Sequence, residues 1–144
     1  MRYSALKIVF QEIPDEISLS FLITGCQLKC KGCHSADSWN SEVGVKLSEN
    51  HLLELIEKYH STITCVLFLG GEWYEKELIH YLNIIHKYNL KSALYTGLEI
   101  HEISSPILVH LDYIKTGRYI DKLGPLFNKK SNQKLIKLKN QKQI

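Results

Sequence analysis

Three of the four cysteines in the chain lie within eight residues of one another, in the run Cys26-Gln-Leu-Lys-Cys30-Lys-Gly-Cys33. Soft thiolates gathered on one short loop point to zinc or to an iron–sulfur cluster rather than to a disulfide framework. Structural zinc prefers paired Cys-x2-Cys knuckles with a fourth ligand at matching spacing. The other candidates here are His34, adjacent to Cys33, and the distant Cys65. Zinc is therefore the second reading. A [4Fe-4S] cluster held by Cys26, Cys30 and Cys33 leaves its fourth iron open to a ligand that is not protein. Cys65 sits inside the apolar run 63–69, where a free cysteine is usually a small buried hydrophobe.

A second group, Gly70-Gly71-Glu72, follows that apolar run directly, and Thr96-Gly97 follows a later one. Glycines let the backbone approach a ligand closely, and a carboxylate pairs with an ammonium group. Alone, a Gly-Gly pair after a strand is only a turn; beside a cysteine loop it reads as a ligand loop.

The elements that must position these residues follow from hydrophobic periodicity, which alternates between strand and helix spacing and predicts an α/β fold. Strands are expected over 3–10, 18–23, 63–69, 91–96 and 107–115, with a turn at Pro14-Asp15. Leu52, Leu53, Ile56 and Tyr59 recur at helical spacing behind an N-cap at Ser48, and Leu78, Leu82, Ile85 and Tyr88 mark a second helix. In an open α/β sheet, ligands gather outside the carboxyl ends of the parallel strands. The segments 25–34, 70–72 and 96–97 each follow a strand and are expected on that rim.

Length and composition bound the rest. The 144 residues suit a single domain, 1–144, with 44% hydrophobic and 23% charged content. No apolar run nears the roughly 20 residues needed to cross a bilayer, and residues 1–11 lack the features of a signal peptide. The cytoplasm is the expected location, with no membrane partner. A formal charge of +3 is too mild to argue for nucleic acid. Seven lysines, Lys122, Lys129, Lys130, Lys134, Lys137, Lys139 and Lys142, crowd the last 23 residues. They form a basic tail, irregular from about 124, that is either a solvated face or a contact for an acidic partner.

The Cys-x3-Cys-x2-Cys loop after one strand, followed by Gly-Gly-Glu after a later one, resembles the radical SAM superfamily. The resemblance is closer to the anaerobic ribonucleoside-triphosphate reductase activating proteins. It is carried by Gly25-Cys26, Gly32-Cys33-His34-Ser35, Trp39, Tyr95-Thr96-Gly97, Asp112 to Tyr119, Gly124-Pro125-Leu126 and Ser131-Asn132-Gln133. It implies an incomplete, open βα barrel and two cofactors, a [4Fe-4S] cluster and S-adenosylmethionine (SAM). The cluster would sit on Cys26, Cys30 and Cys33. SAM would be contacted by Gly70, Gly71, Glu72 and Thr96, with His34 as the nearest substitute for the aromatic residue that packs on adenine. The implied activity is radical SAM activation of a glycyl radical on the anaerobic reductase, with flavodoxin or ferredoxin as electron donor. Alternatives are an activase of another glycyl radical enzyme such as a pyruvate formate-lyase, a non-catalytic iron–sulfur or zinc module, and a radical SAM enzyme acting on a small molecule. Trp73 departs from the family, standing where proline or an acidic residue is common.

Overall fold

The protein is seen as a computed structural model that describes residues 1–138 and the backbone of 142–143. Its first two strands, β1 (Arg2–Val9) and β2 (Ser18–Ile23), pair antiparallel across the Pro14-Asp15 turn. After a two-residue edge strand, β3 (Val45–Lys46), comes α1 (Glu49–Tyr59), where the Ser48 hydroxyl accepts from His51 N at 3.2 Å and caps the helix start. Strands β4 (Cys65–Leu69), β5 (Lys91–Tyr95) and β6 (Tyr113–Thr116) then alternate with α2 (Glu75–Lys87) and the short α3 (Ser105–Leu108). The chain returns through β7 (Lys134–Lys137) and β8 (Lys142–Gln143).

The eight strands among the described residues form one sheet in the order β3-β1-β2-β4-β5-β6-β7-β8. The central four, β2, β4, β5 and β6, run parallel, while the outer pairs are antiparallel. Strand alternation divides the core in two. Leu19, Phe21, Ile23, Val66, Phe68, Leu94 and Ile114 face a main core shared with Leu52 and Ile56 of α1 and Leu78, Leu82 and Ile85 of α2. Phe21 and Phe68 stack there with ring centroids 5.6 Å apart, and burying each ring contributes roughly 1.5–3 kcal/mol. The opposite face carries a smaller cluster of Ile13, Cys65, Leu67, Ala93, Tyr113 and Leu135. Over it, the turn between β1 and β2 is fastened by Tyr95, whose hydroxyl donates to the Glu12 carbonyl, and by buried Glu16, which accepts from Lys91 Nζ and, at 2.9 Å, from the Tyr113 hydroxyl.

Two expectations are corrected. The open βα barrel is not formed: only four strands are parallel, β6 is followed by antiparallel β7, and the strands make an open mixed sheet with distinct edges at β3 and β8. A barrel needs repeated parallel βα units to curl and close, and this chain contains three α-helices among its described residues. The strand expected over 107–115 is confined to Tyr113–Thr116, because Ser104 and Pro106 start a helical turn and Ile103, Ile107 and Leu111 recur every four residues to bury one side. No helix among the described residues is long and apolar enough to cross a membrane. The basic tail, expected as irregular from about 124, carries β7 in antiparallel pairing with β6; Lys139 and the Lys142 side chain lie outside the described residues, and Lys122, Lys129, Lys130 and Lys134 are exposed.

Candidate iron–sulfur site

Because β2, β4, β5 and β6 are parallel, the loops that follow them leave the sheet at the same end. The first is the cysteine loop. Thr24 N donates to Arg2 O at 3.0 Å and Gly25 N to Ser38 O at 2.8 Å, which roots the loop between β1 and a 3-10 turn over Ala36–Trp39. Inside it, Cys33 N donates to Cys30 O at 3.1 Å, and Ser35 N points at Cys33 Sγ at 3.4 Å. The next loop is Gly70-Gly71-Glu72, tied to β5 by Gly70 N donating to Tyr95 O at 2.8 Å.

These loops enclose a cavity of about 240 Å³ whose lining includes Cys26, Cys33, Gly70, Glu72, Thr96 and Lys115. Cys30 joins the group electrostatically: its charge acts on Cys26 and, with those of Cys33 and Glu72, on Lys115. Burial pushes the Cys26 thiol above its ordinary value, and Glu72 and Cys30 add to the rise. Among the described residues no three His, Cys, Asp or Glu side chains gather around a point that would hold one metal ion. Cys65 is remote in character: it is fully buried in β4, its thiol is pushed up to about 12 by burial, and it donates weakly to Val66 O.

Glu72 is the most constrained polar group of the site. Thr96 Oγ1 donates to Glu72 Oε1 at 2.6 Å and itself accepts from Leu98 N at 3.0 Å, so the hydroxyl is held facing the carboxylate. Glu72 Oε2 is buried without a hydrogen-bond partner. Burial pushes the carboxyl up, against the opposing influence of the Thr96 hydrogen bond and the Lys115 charge.

A family described as a 4Fe-4S single cluster domain matches residues 17–136, from the residue before β2 into β7. The chain belongs to that family. It is an iron–sulfur domain, and Cys26, Cys30 and Cys33 supply thiols of the kind such a cluster takes. No curated protein matches the chain.

Of the other residues singled out from sequence, Gly71 is buried against Ile23 and His34 is exposed, edge-on to Tyr119 with ring centroids 5.4 Å apart. Neither is among the residues lining the cavity of this cluster domain. Two further lining residues shape the site. Lys115 is the cation of the site: burial holds its ammonium below the ordinary lysine value, Cys30, Glu72 and Cys33 pull it back, and it lies 4.9 Å from the Tyr95 ring centre. A lysine inside the mostly buried β6 was the available signal. Trp73 forms another wall, and it also lines, with Glu72, an adjoining and largely apolar cavity of about 310 Å³.

Proposed function

We propose that this iron–sulfur domain is a radical SAM activase that installs a glycyl radical on an anaerobic ribonucleoside-triphosphate reductase. The observation that carries the reading is Glu72 Oε2, a buried carboxylate oxygen without a partner on a residue that lines the same cavity as Cys26 and Cys33. A buried polar atom left unpaired is costly unless a ligand completes it. The ammonium of the methionine part of SAM supplies a charge-assisted donor at that position. Thr96 keeps Oε1 occupied, so Oε2 is the oxygen left for the ligand. Lys115 offers the opposite charge in the same cavity, where a carboxylate is stabilised. An amino acid head group, zwitterionic, thus meets one anion and one cation.

When bound to Cys26, Cys30 and Cys33, the cluster supplies the electron that splits SAM into methionine and a 5′-deoxyadenosyl radical, which takes a hydrogen atom from a glycine Cα of the reductase. Flavodoxin or ferredoxin is the proposed donor of that electron. Exposed Lys29, Lys31 and Gly32 leave the cluster loop accessible to a large protein. The test is anaerobic reconstitution, reduction and addition of SAM, with chromatography for 5′-deoxyadenosine, followed by electron paramagnetic resonance after adding the reductase. A glycyl radical doublet is expected. An intact, reduced cluster that yields no 5′-deoxyadenosine overturns the SAM reading. Cleavage without a doublet on the reductase overturns the choice of partner.

A further inference from the structure

The loops that carry the thiols and Glu72 are rooted apart. Thr24 and Gly25 bond to Arg2 and Ser38, whereas Gly70 bonds to Tyr95. The Trp73 side chain touches both. Trp73 Nε1 donates to the Thr24 carbonyl at 3.2 Å, two residues before Cys26. The far edge of the same indole lies on Gly70, where an added Cβ would come within 2.6 Å of Trp73 Cη2, and its Nε1 edge faces Gly25, where a Cβ would stand 3.1 Å away. Both glycines have left-handed backbone, with φ of +82° at Gly70 and +98° at Gly25, so the space the indole occupies exists because neither position carries a side chain.

We infer that Trp73 is a positioning residue that sets the gap between the cysteine loop and the Gly70–Glu72 loop, so that one ligand can reach both an open iron and the Glu72 carboxylate. The inference rests on the SAM reading above. Trp73 follows Glu72 directly, so movement of the indole is transmitted to the carboxylate through a single peptide unit. The chemistry is rigid: an aromatic ring with a fixed N–H edge defines a distance that a flexible side chain would not. Trp73 also walls the cavity, and its positioning role acts through the two loops.

The test is Trp73→Phe, which keeps a ring over Gly70 and removes the N–H donor to Thr24. With cluster iron and sulfide unchanged, the dissociation constant for SAM should rise roughly 3- to 10-fold, the range for one lost hydrogen bond. In ligand-free, cluster-loaded protein, amide exchange should quicken at 24–26 as well as at 70–73. Unchanged SAM affinity, or exchange that quickens at 70–73 alone, overturns the inference. If the variant fails to fold, Trp39→Phe leaves Trp73 as the sole tryptophan. Its emission should then respond to SAM, and emission that SAM leaves unmoved overturns the inference. If wild-type protein with an intact cluster does not bind SAM, the proposed function fails, and the exchange measurement still decides whether Trp73 holds the two loops together.

Discussion

Glu72→Gln separates binding from stability, because the two should move in opposite directions. The amide keeps the side chain's shape, and its oxygen still accepts from Thr96 Oγ1, now 2.6 Å from Glu72 Oε1. What changes is the position of Oε2, which is buried without a partner: an acceptor carrying charge becomes an NH2 donor. A hydrogen bond to a charged group contributes roughly 1.5–3 kcal/mol, so SAM should bind on the order of ten- to a hundred-fold more weakly, at 1.4 kcal/mol per decade. Stability follows the opposite sign. Burial holds the Glu72 carboxyl above its ordinary value, so the folded chain binds that proton more tightly than the unfolded chain. The Glu72 contribution to wild-type stability is therefore greatest below the ordinary carboxyl pKa and declines as pH rises to the raised folded value, above which the full cost of ionisation is present. The Gln variant escapes that decline and should melt at a higher temperature than wild type at neutral pH. Anaerobic equilibrium dialysis with labelled SAM reads the first effect, and thermal melts of cluster-free protein across the acid-to-neutral range read the second. SAM affinity within a factor of about two of wild type would refute the role of Oε2, and a lower melting temperature for Gln at neutral pH would refute the electrostatic argument.

Alanine at Cys26, Cys30 or Cys33 should prevent stable cluster assembly, whereas Cys65→Ala should leave iron and sulfide content nearly unchanged and cost about 1 kcal/mol for the cavity it leaves in β4; a large iron loss in the Cys65 variant would contradict a three-thiol site. Lys115→Met removes the cation acted on by Cys30, Glu72 and Cys33. It should lower the reduction potential of the cluster, because an added electron loses its nearby positive charge; a potentiometric titration checks it, and an unchanged or raised potential would contradict it. Lys91→Met leaves Glu16 buried without its cation and should cost about 1–3 kcal/mol, less than a fully buried pair because Lys91 is half-exposed. Burial works to raise the Glu16 carboxyl, but hydrogen bonds from Lys91, Thr64 and Tyr113 hold it below the ordinary value. Wild-type stability from Glu16 is therefore present above the ordinary carboxyl pKa and lost as pH falls through the lower folded value, and acid unfolding followed by circular dichroism should move to higher pH in the variant.

What could be read from the chain was whatever depends on local pattern. β4 is legible because 65–69 is continuously apolar before Gly70-Gly71, and β2 because Leu19, Phe21, Leu22 and Ile23 run into Thr24-Gly25; a strand buried on both faces needs little else. The short segment at 105–108 was not, since Ile107 to Lys115 looks like a β-branched run until Ile103, Ile107 and Leu111 are seen to pack on one side. The sheet's ends were harder still. Whether strands curl into a barrel or stop at an edge depends on long-range pairing, and the antiparallel return of β7 onto β6 leaves no trace in spacing. The site divides in the same way. Cysteine spacing is local and so is Gly-Gly-Glu, but Lys115 enters the cavity only because β6 lies beside β5 in parallel register, Tyr95 opposite Lys115. Trp73 gives the sharpest case. Its neighbours in the sequence explain Gly70, but Gly25 is 48 residues away along the chain, and the β2–β4 pairing brings the two together. Both glycines could be identified as permissive positions; what fills the space beside them is set by topology. Trp73, two residues beyond the Gly70-Gly71 pair, fills that space and meets there a second chain segment that leads into the cysteine loop.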